Sequence, residues 1–492
     1  MHMVNTARHA LLVVLFAAAV FLGIGSFILG CTEGSDVPTK RQEKALPPNF
    51  VIILADDLGF GDLGVFGAKD IRTPHLDRMA DEGIRFTSFY VASSVCTPSR
   101  AALLTGCYPK RVGLDRGVLY PYDTKGLNPD EVTIAEILKA MGYATACIGK
   151  WHLGRPPELL PTRQGFDSYF GIPYSNDMGP DSLLSLLGGH FPPLPLIRDE
   201  EVIEEGVDQR TLTKRYTEEA ISFIRTNRYQ PFFLYLAHNM PHYPCHASED
   251  FEDPAVDEHH RGIYASAVEE IDCGVGYVMD TLKLLGLEDR TLVVFTSDNG
   301  PWLIARTLFR EPTGSAAPLR GWKSESFEGG MRVPAIMHWP GRLAAGRICD
   351  ELVTALDLVP TMAAFAAADL PAGAAHEIDG KDISSLLENT DTVSPYTYFF
   401  YYSDTTGKLE AVRDREGWKL HMLRDLRMVN ELYYLPDDIQ EEHNLYSARP
   451  DIVCRLVRAA LAFERGVSAE ARPPGQAGMI QQKRADISLS GG

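Results

Sequence analysis

The chain has 492 residues, 45% of them hydrophobic, enough for one large core and a smaller one, because single cores stop growing near roughly 250–300 residues. Its 47 Lys and Arg against 66 Asp and Glu give a formal net charge of -19 with no clustered basic run. That excludes nucleic acid as a partner, since binding to phosphate backbones needs a cationic surplus to release counterions.

In chain order, residues 1–30 read as a signal peptide: Arg8 precedes an apolar run from Ala10 to Leu29 that contains no acidic residue, and small Gly30 and Cys31 follow. Ile28-Leu29-Gly30-Cys31 resembles a bacterial lipobox, with Leu29 where a small residue is usual. By that resemblance Cys31 is the lipidated first residue of a membrane-attached chain. A run of about 20 apolar residues is also long enough for an uncleaved bilayer anchor. No Asn-x-Ser/Thr site occurs, which fits an exported bacterial protein, periplasmic or held in the cell envelope. The polar residues 31–48 suit a tether. Eight cysteines without a CxxC pair argue against a disulfide framework and leave room for one bridge.

Folded sequence is expected from Asn49. Four apolar, β-branched or aromatic runs, Phe50–Ala55, Tyr143–Ile148, Phe232–Leu236 and Leu292–Phe295, end in polar residues and read as buried parallel strands. Helical spacing places Ile134, Ile137, Leu138 and Met141 on one face before Gly142, and Tyr264, Val268, Ile271, Val275, Val278 and Leu282 on another. Their alternation predicts an α/β fold over residues 49–393, with a large, mostly parallel central sheet flanked by helices. Leu183–Leu196 reads as a loop over that sheet and Asp199–Glu205 as a solvated edge. Beyond Ser394 the runs Tyr398–Tyr402, Trp418–Met422 and Glu431–Tyr434 predict a smaller C-terminal α+β domain over 394–466 that contains an antiparallel sheet. Residues 467–492, rich in small and polar residues, read as an unstructured tail.

In parallel sheets ligands bind beyond the carboxyl ends of the strands. Those positions hold Asp56 and Asp57, Lys150 and His152, His242, and Asp298 and Asn299. Asp56, Asp57, Asp298 and Asn299 offer only oxygen, which suits a hard cation, Ca2+ or Mg2+ with waters, and disfavours zinc for want of His or Cys. A helix starting at Ser99 and running to Gly106 would put Cys96 and Arg100 at an N-terminus whose free N–H groups attract anions.

Cys96-Thr97-Pro98-Ser99-Arg100, with Leu103-Leu104-Thr105-Gly106 behind it, resembles the sulfatase signature. In that family CxPSR directs oxidation of the Cys to formylglycine (3-oxoalanine) by a formylglycine-generating or sulfatase-maturing enzyme. Gly149-Lys150-Trp151-His152-Leu153-Gly154, Pro241-His242-Tyr243-Pro244, and Gly321-Trp322-Lys323 with Glu328-Gly329-Gly330-Met331-Arg332-Val333-Pro334 are similar to three further segments, in the family's order. Gly171-Ile172-Pro173-Tyr174-Ser175 resembles a region of arylsulfatase A-like and related glycan sulfatases. From Asn49 to Pro334, and weakly at Leu432–Leu435 and Asn444–Tyr446, the chain thus resembles a formylglycine-dependent sulfatase of the alkaline phosphatase-like superfamily.

The resemblance implies hydrolysis of sulfate esters of a glycan or an aryl alcohol. It implies Asp56, Asp57, Asp298 and Asn299 as ligands of a cation, calcium or magnesium. It implies Cys96, as hydrated formylglycine, for nucleophile, and Arg100, Lys150 and Lys323 as the charges that hold sulfate. His242 falls at the bridging oxygen, His152 beside the nucleophilic hydroxyls and Ser175 near the substrate, whereas His238 reads as structural. Two readings compete: a phosphonate monoester or phosphodiester hydrolase of the same superfamily, which can share CxPSR, and an inactive surface glycan-binding homologue, which would require a missing ligand. Every expected ligand is present. The loops 179–197 and 302–318 shape the leaving-group pocket and carry no readable code.

Overall fold

The computed structural model describes residues 46–180, 182, 185, 188–251, 261–309, 313–371 and 377–478. The signal segment, Cys31 and nearly all of the tether lie outside these residues. Ten strands form one sheet in the spatial order Arg347–Cys349, Ile84–Phe86, Ala335–His338, Thr291–Ser297, Asn49–Ala55, Phe232–Ala237, Ala144–Gly149, Ser168–Gly171, Pro195–Arg198, Glu201–Glu205. The five strands from Thr291–Ser297 to Ser168–Gly171 are parallel, and antiparallel neighbours join on both sides. The four runs expected as parallel strands are four of these five.

Every residue of Asn49–Ala55 and Thr291–Ser297 is buried, because helices cover both faces, and continuous apolar runs follow from that double burial. The pleat divides them: Phe50, Ile52 and Leu54 enter one core, and Val51, Ile53 and Ala55 the other. Helices Cys96–Thr105, Ile134–Ala140 and Leu358–Phe365 contribute to the first core, Pro74–Asp81, Leu212–Thr226 and Gly262–Leu284 to the second. Glu201–Glu205 is the outermost strand and wholly exposed, so the acidic run is a charged edge that discourages further pairing. The loop over the sheet gives way at Pro195 to a strand.

A second sheet, antiparallel in the order Tyr398–Tyr402, Leu409–Asp414, Trp418–Arg424, Arg427–Tyr434, packs against helix Pro450–Ala469. Regular structure continues past residue 466, contrary to the expected tail. The helix ends at Ala469, and Gly475–Gln476 pairs with Lys125–Gly126. Polar anchors hold this stretch, which is why apolar periodicity could not reveal it: Arg472 pairs with Glu131 at 2.7 Å and its N–H donates to Arg111 O at 2.7 Å. Residues 479–492 lie outside the described ones.

A buried ionic seam joins the second sheet to helix Glu328–Met331 and to Tyr90. Glu328 accepts from Tyr90 Oη at 2.5 Å, Tyr401 Oη at 2.8 Å and Lys419 Nζ at 2.9 Å. Glu441 accepts from His421 Nε2 and from Glu328 N, both at 2.8 Å. Burial by itself raises the Glu328 carboxyl, but Lys419, Arg332 and Arg413 outweigh it and hold the group well below its usual range.

Candidate active site

Register assembles the site. Ala55 pairs with Ser297, and Leu54 and Gly149 each pair with Ala237, so the central strands end level and release Asp56, Asp298, Lys150 and the turn carrying His242 side by side. The ladder runs one step further: Asp298 N donates to Ala55 O at 3.1 Å and Lys150 N to Ala237 O at 2.7 Å. That step requires glycine before Lys150. Gly149 has φ 108°, and a Cβ there would stand 1.9 Å from Ala237 O. Gly300, after Asn299, is as tight, with a Cβ falling 1.8 Å from Gly329 O.

The helix bearing the signature begins at Cys96, three residues before the expected Ser99, with extended Val95 as its cap. Pro98 needs no N–H in a first turn, and Ser99 N closes that turn on Val95 O at 3.2 Å. Gly106, left-handed at φ 70°, ends it. Cys96 is therefore itself a first-turn residue, 1% exposed.

Around Cys96 Sγ stand Asp56 Oδ1 at 3.4 Å, Lys323 Nζ at 3.4 Å and Lys150 Nζ at 3.6 Å. Lys150 Nζ also reaches Asp56 Oδ2 at 2.5 Å and Ser175 Oγ at 3.1 Å, and Lys323 Nζ spans both Asp57 oxygens at 2.7 and 2.8 Å. Arg100, wholly buried, is committed to Asp298 Oδ2 through Nε at 2.9 Å and to Lys150 O at 2.7 Å, with Asp56 at 3.5 Å. Asn299 Nδ2 donates to Asp57 Oδ1 at 2.6 Å. All the residues expected in the site thus meet there, Ser175 included.

Burial and the Asp56 charge push the Cys96 thiol well above its ordinary range, so an unmodified Cys96 is a neutral thiol and a poor nucleophile. Burial would also raise Asp56, but Lys150, Arg100 and His242 hold its carboxyl well below the usual value. Burial, with Asp56 and Asp298 adjacent, pushes Asp57 up to about 7 despite Lys323. Both imidazoles are driven well below their ordinary value, by burial first and then by the lysines, and are neutral. Their tautomers follow from carbonyl partners, which only accept. His152 Nε2 donates to Leu119 O at 3.0 Å, which leaves Nδ1 as a buried lone pair without a partner. His242 Nδ1 donates to Tyr243 O at 2.6 Å, and its Nε2 faces Asp57 Oδ2 at 3.6 Å.

The donor set fits a hard cation. Asn299 Oδ1 is buried with no partner, beside Asp57 and Asp298, as an oxygen ligand awaiting a metal would be. Contrary to the expectation that zinc lacks His or Cys here, Asp56, Asp57, Cys96 and His242 present ligand-type atoms all within 4.8 Å of one another, so His and Cys are near the oxygens after all. Pairing distances between sequence-remote turns were not legible in the sequence.

Three residues here hold left-handed backbone without being glycine: Asp57 at φ 65°, His152 at 59° and Ser324, next to Lys323, at 74°. Such strain is tolerated where surroundings fix a functional side chain. Sequence reasoning missed Thr97, whose hydroxyl donates to His152 O at 2.9 Å while accepting from Leu119 N at 3.2 Å. It placed Trp302 only at the start of the loop 302–318 and did not foresee that its ring packs on His242 and Lys323. Thr97 fills the variable place of CxPSR, and no pattern marks Trp302.

A family profile described as sulfatase matches residues 48–368. The chain belongs to the sulfatase family. A second profile, for the C-terminal part of N-sulphoglucosamine sulphohydrolase, matches residues 321–460. This sulfatase is 43% identical over 393 residues to arylsulfatase A of Bos taurus, covering 77% of the chain and 75% of the relative. It is 40% identical to N-acetylgalactosamine-6-sulfatase of Rattus norvegicus, covering 73% and 69%. Among solved structures it is similar to Ps i-CgsB in complex with k-i-k-neocarrahexaose, with TM-score 0.75, 30% identity and 87% and 94% coverage. The sulfatase hydrolyses sulfate esters on an alkaline phosphatase-like fold, and its family implies a metal ion and a formylglycine.

Proposed function

We propose that residue 96 acts as formylglycine and that the enzyme releases sulfate from a sulfated glycan. The convergence of Lys150, Lys323 and Asp56 on Cys96 Sγ carries this reading, for Sγ marks where the nucleophilic oxygen would stand. Formylglycine, when hydrated, would supply a geminal diol, one hydroxyl to attack sulfur and a second whose deprotonation lets sulfate leave, which a simple thiol lacks. Asp56, Asp57, Asp298 and Asn299 would hold a cation, calcium or magnesium, which when bound would supply positive charge to the sulfate oxygens.

The chain's own groups do the rest. Lys150 and Lys323 bind and orient sulfate with preorganised charge in a buried site, where attraction is far stronger than in water. Arg100 acts through Asp298 and the Lys150 carbonyl, holding both in place. Lys323 neutralises the departing oxygen, and neutral His242, with its Nδ1–H held by Tyr243 O, packs beside that position. His152, with its Nδ1 lone pair fixed by the bond to Leu119 O, accepts the proton when sulfate is released. Ser175 steadies Lys150. The glycan class is supported by N-acetylgalactosamine-6-sulfatase among the relatives and by the neocarrahexaose complex among the similar structures.

Maturation requires a formylglycine-generating or sulfatase-maturing enzyme, and the apolar leader ending at Cys31 supports export and lipid attachment to a bacterial cell envelope. The test is hydrolysis of an aryl sulfate, an aryl phosphate and sulfated oligosaccharides by one preparation. The reading expects release from the sulfates, lost in Cys96→Ala; release from the phosphate alone would overturn it.

A further inference from the structure

Trp302, the first residue of the loop 302–318, is a large aromatic side chain that touches the machinery and that no motif assigned a role. Its placement is built in: Lys323 N donates to Pro301 O at 3.0 Å, and Gly300 N to Gly330 O at 3.0 Å, which locks the turn after Asn299 against the segment carrying Lys323. As a result the Lys323 ammonium lies over the indole, 4.9 Å from the ring centroid, and the His242 imidazole packs against it with centroids 5.3 Å apart at 43°. Trp302 is half-buried, so part of its surface reaches solvent while its ring covers both groups.

We propose that Trp302 is a positioning residue for leaving-group departure. This rests on the reading that Lys323 serves the departing oxygen. Lys323 is a long side chain with many rotamers, and it must remain near both Asp57 and residue 96. The Asp57 carboxylate holds its ammonium at 2.7 and 2.8 Å, and the electron-rich indole face adds a second hold at no cost in competing negative charge. The same ring prevents the imidazole from turning out of the site. As an oxygen of residue 96 bonds to sulfur and the ester S–O bond breaks, the electron pair goes to the alcohol oxygen, which takes a proton from the Lys323 ammonium; the hydroxyl proton released at residue 96, 3.4 Å away, restores that ammonium. A poorly acidic alcohol depends most on a charge already in place, whereas a stabilised nitrophenolate leaves with little help.

The experiment compares kcat/KM over substituted phenyl sulfates, from para-nitrophenyl to para-methylphenyl, for wild type, Trp302→Leu, Trp302→Phe and Lys323→Ala. Trp302→Leu is expected to lose about tenfold more on the methylphenyl than on the nitrophenyl ester, in proportion to one cation–π contact, while Trp302→Phe keeps most of the wild-type dependence. A uniform loss across the series, or none, would overturn the inference while Lys323→Ala still steepens the dependence. Should Lys323→Ala also leave the dependence unchanged, the underlying reading of Lys323 falls, and this inference with it.

Discussion

Asn299 donates its amide N–H to Asp57 Oδ1 at 2.6 Å and keeps its own carbonyl oxygen buried without a partner. An orphaned acceptor among carboxylates is costly unless something positive meets it. Chelation is therefore expected to abolish sulfate release, and calcium to restore it at lower concentration than magnesium, whose stricter octahedral demand four protein oxygens serve less well. Asn299→Ala should weaken calcium binding at least tenfold by titration calorimetry; unchanged affinity would remove Asn299 from the ligand set.

Arg100 is both an activity and a stability determinant. It is wholly buried between Asp298 and Asp56, so Arg100→Met would strand carboxylates in the interior and is expected to cost about 3–5 kcal/mol in denaturant unfolding of the cation-free protein. A loss of activity with stability intact would show that Arg100 contacts only substrate.

Gly149→Ala is expected to be worse than an ordinary helix or strand substitution. The added Cβ meets backbone 1.9 Å away at a φ of 108°, so either Lys150 is displaced or the ladder to Ala237 opens. Soluble protein without sulfatase activity, or no soluble protein, is the expected result; wild-type activity would refute the placement of Lys150.

The ionic seam predicts an acid sensitivity. Glu328 is held below its unfolded value of 4.5 by Lys419, Arg332 and Arg413 against the cost of burial. A depressed carboxyl stabilises the fold fully above the unfolded value, and that contribution is lost as pH falls below it. Glu328→Gln should lower stability near neutral pH by about 3–5 kcal/mol and flatten its decline in acid, as read by thermal unfolding at several pH values.

Attachment is tested separately. On the proposed export and lipid attachment, Cys31→Ala is expected to move the protein from the membrane fraction to the soluble periplasmic fraction without changing its specific activity, because residues 31–48 read as a tether. Retention in the membrane would favour an uncleaved apolar anchor.

Much of this arrangement was legible in the sequence because parallel strands buried on both faces announce themselves as apolar runs, and the residues ending them, Asp56, Lys150, His242 and Asp298, must emerge at one edge. Motif order then joined Cys96 and Lys323 to them. Short edge strands such as Arg347–Cys349 were not legible, being set by pairing partners rather than by their own pattern. The helix start at Cys96 depended on one backbone bond, from Ser99 to Val95. Arg472 ties down the C-terminal stretch through charge, and Trp302 reaches His242 through a turn locked to a remote segment; neither leaves a periodic trace.

The most direct test of the account is mass spectrometry of the peptide spanning residue 96, taken from enzyme preparations of differing specific activity made with and without a maturing enzyme. The account predicts an aldehyde in place of the thiol, in a fraction that rises in step with sulfate release. A fully active preparation that carries only the unmodified Cys96 thiol would contradict it.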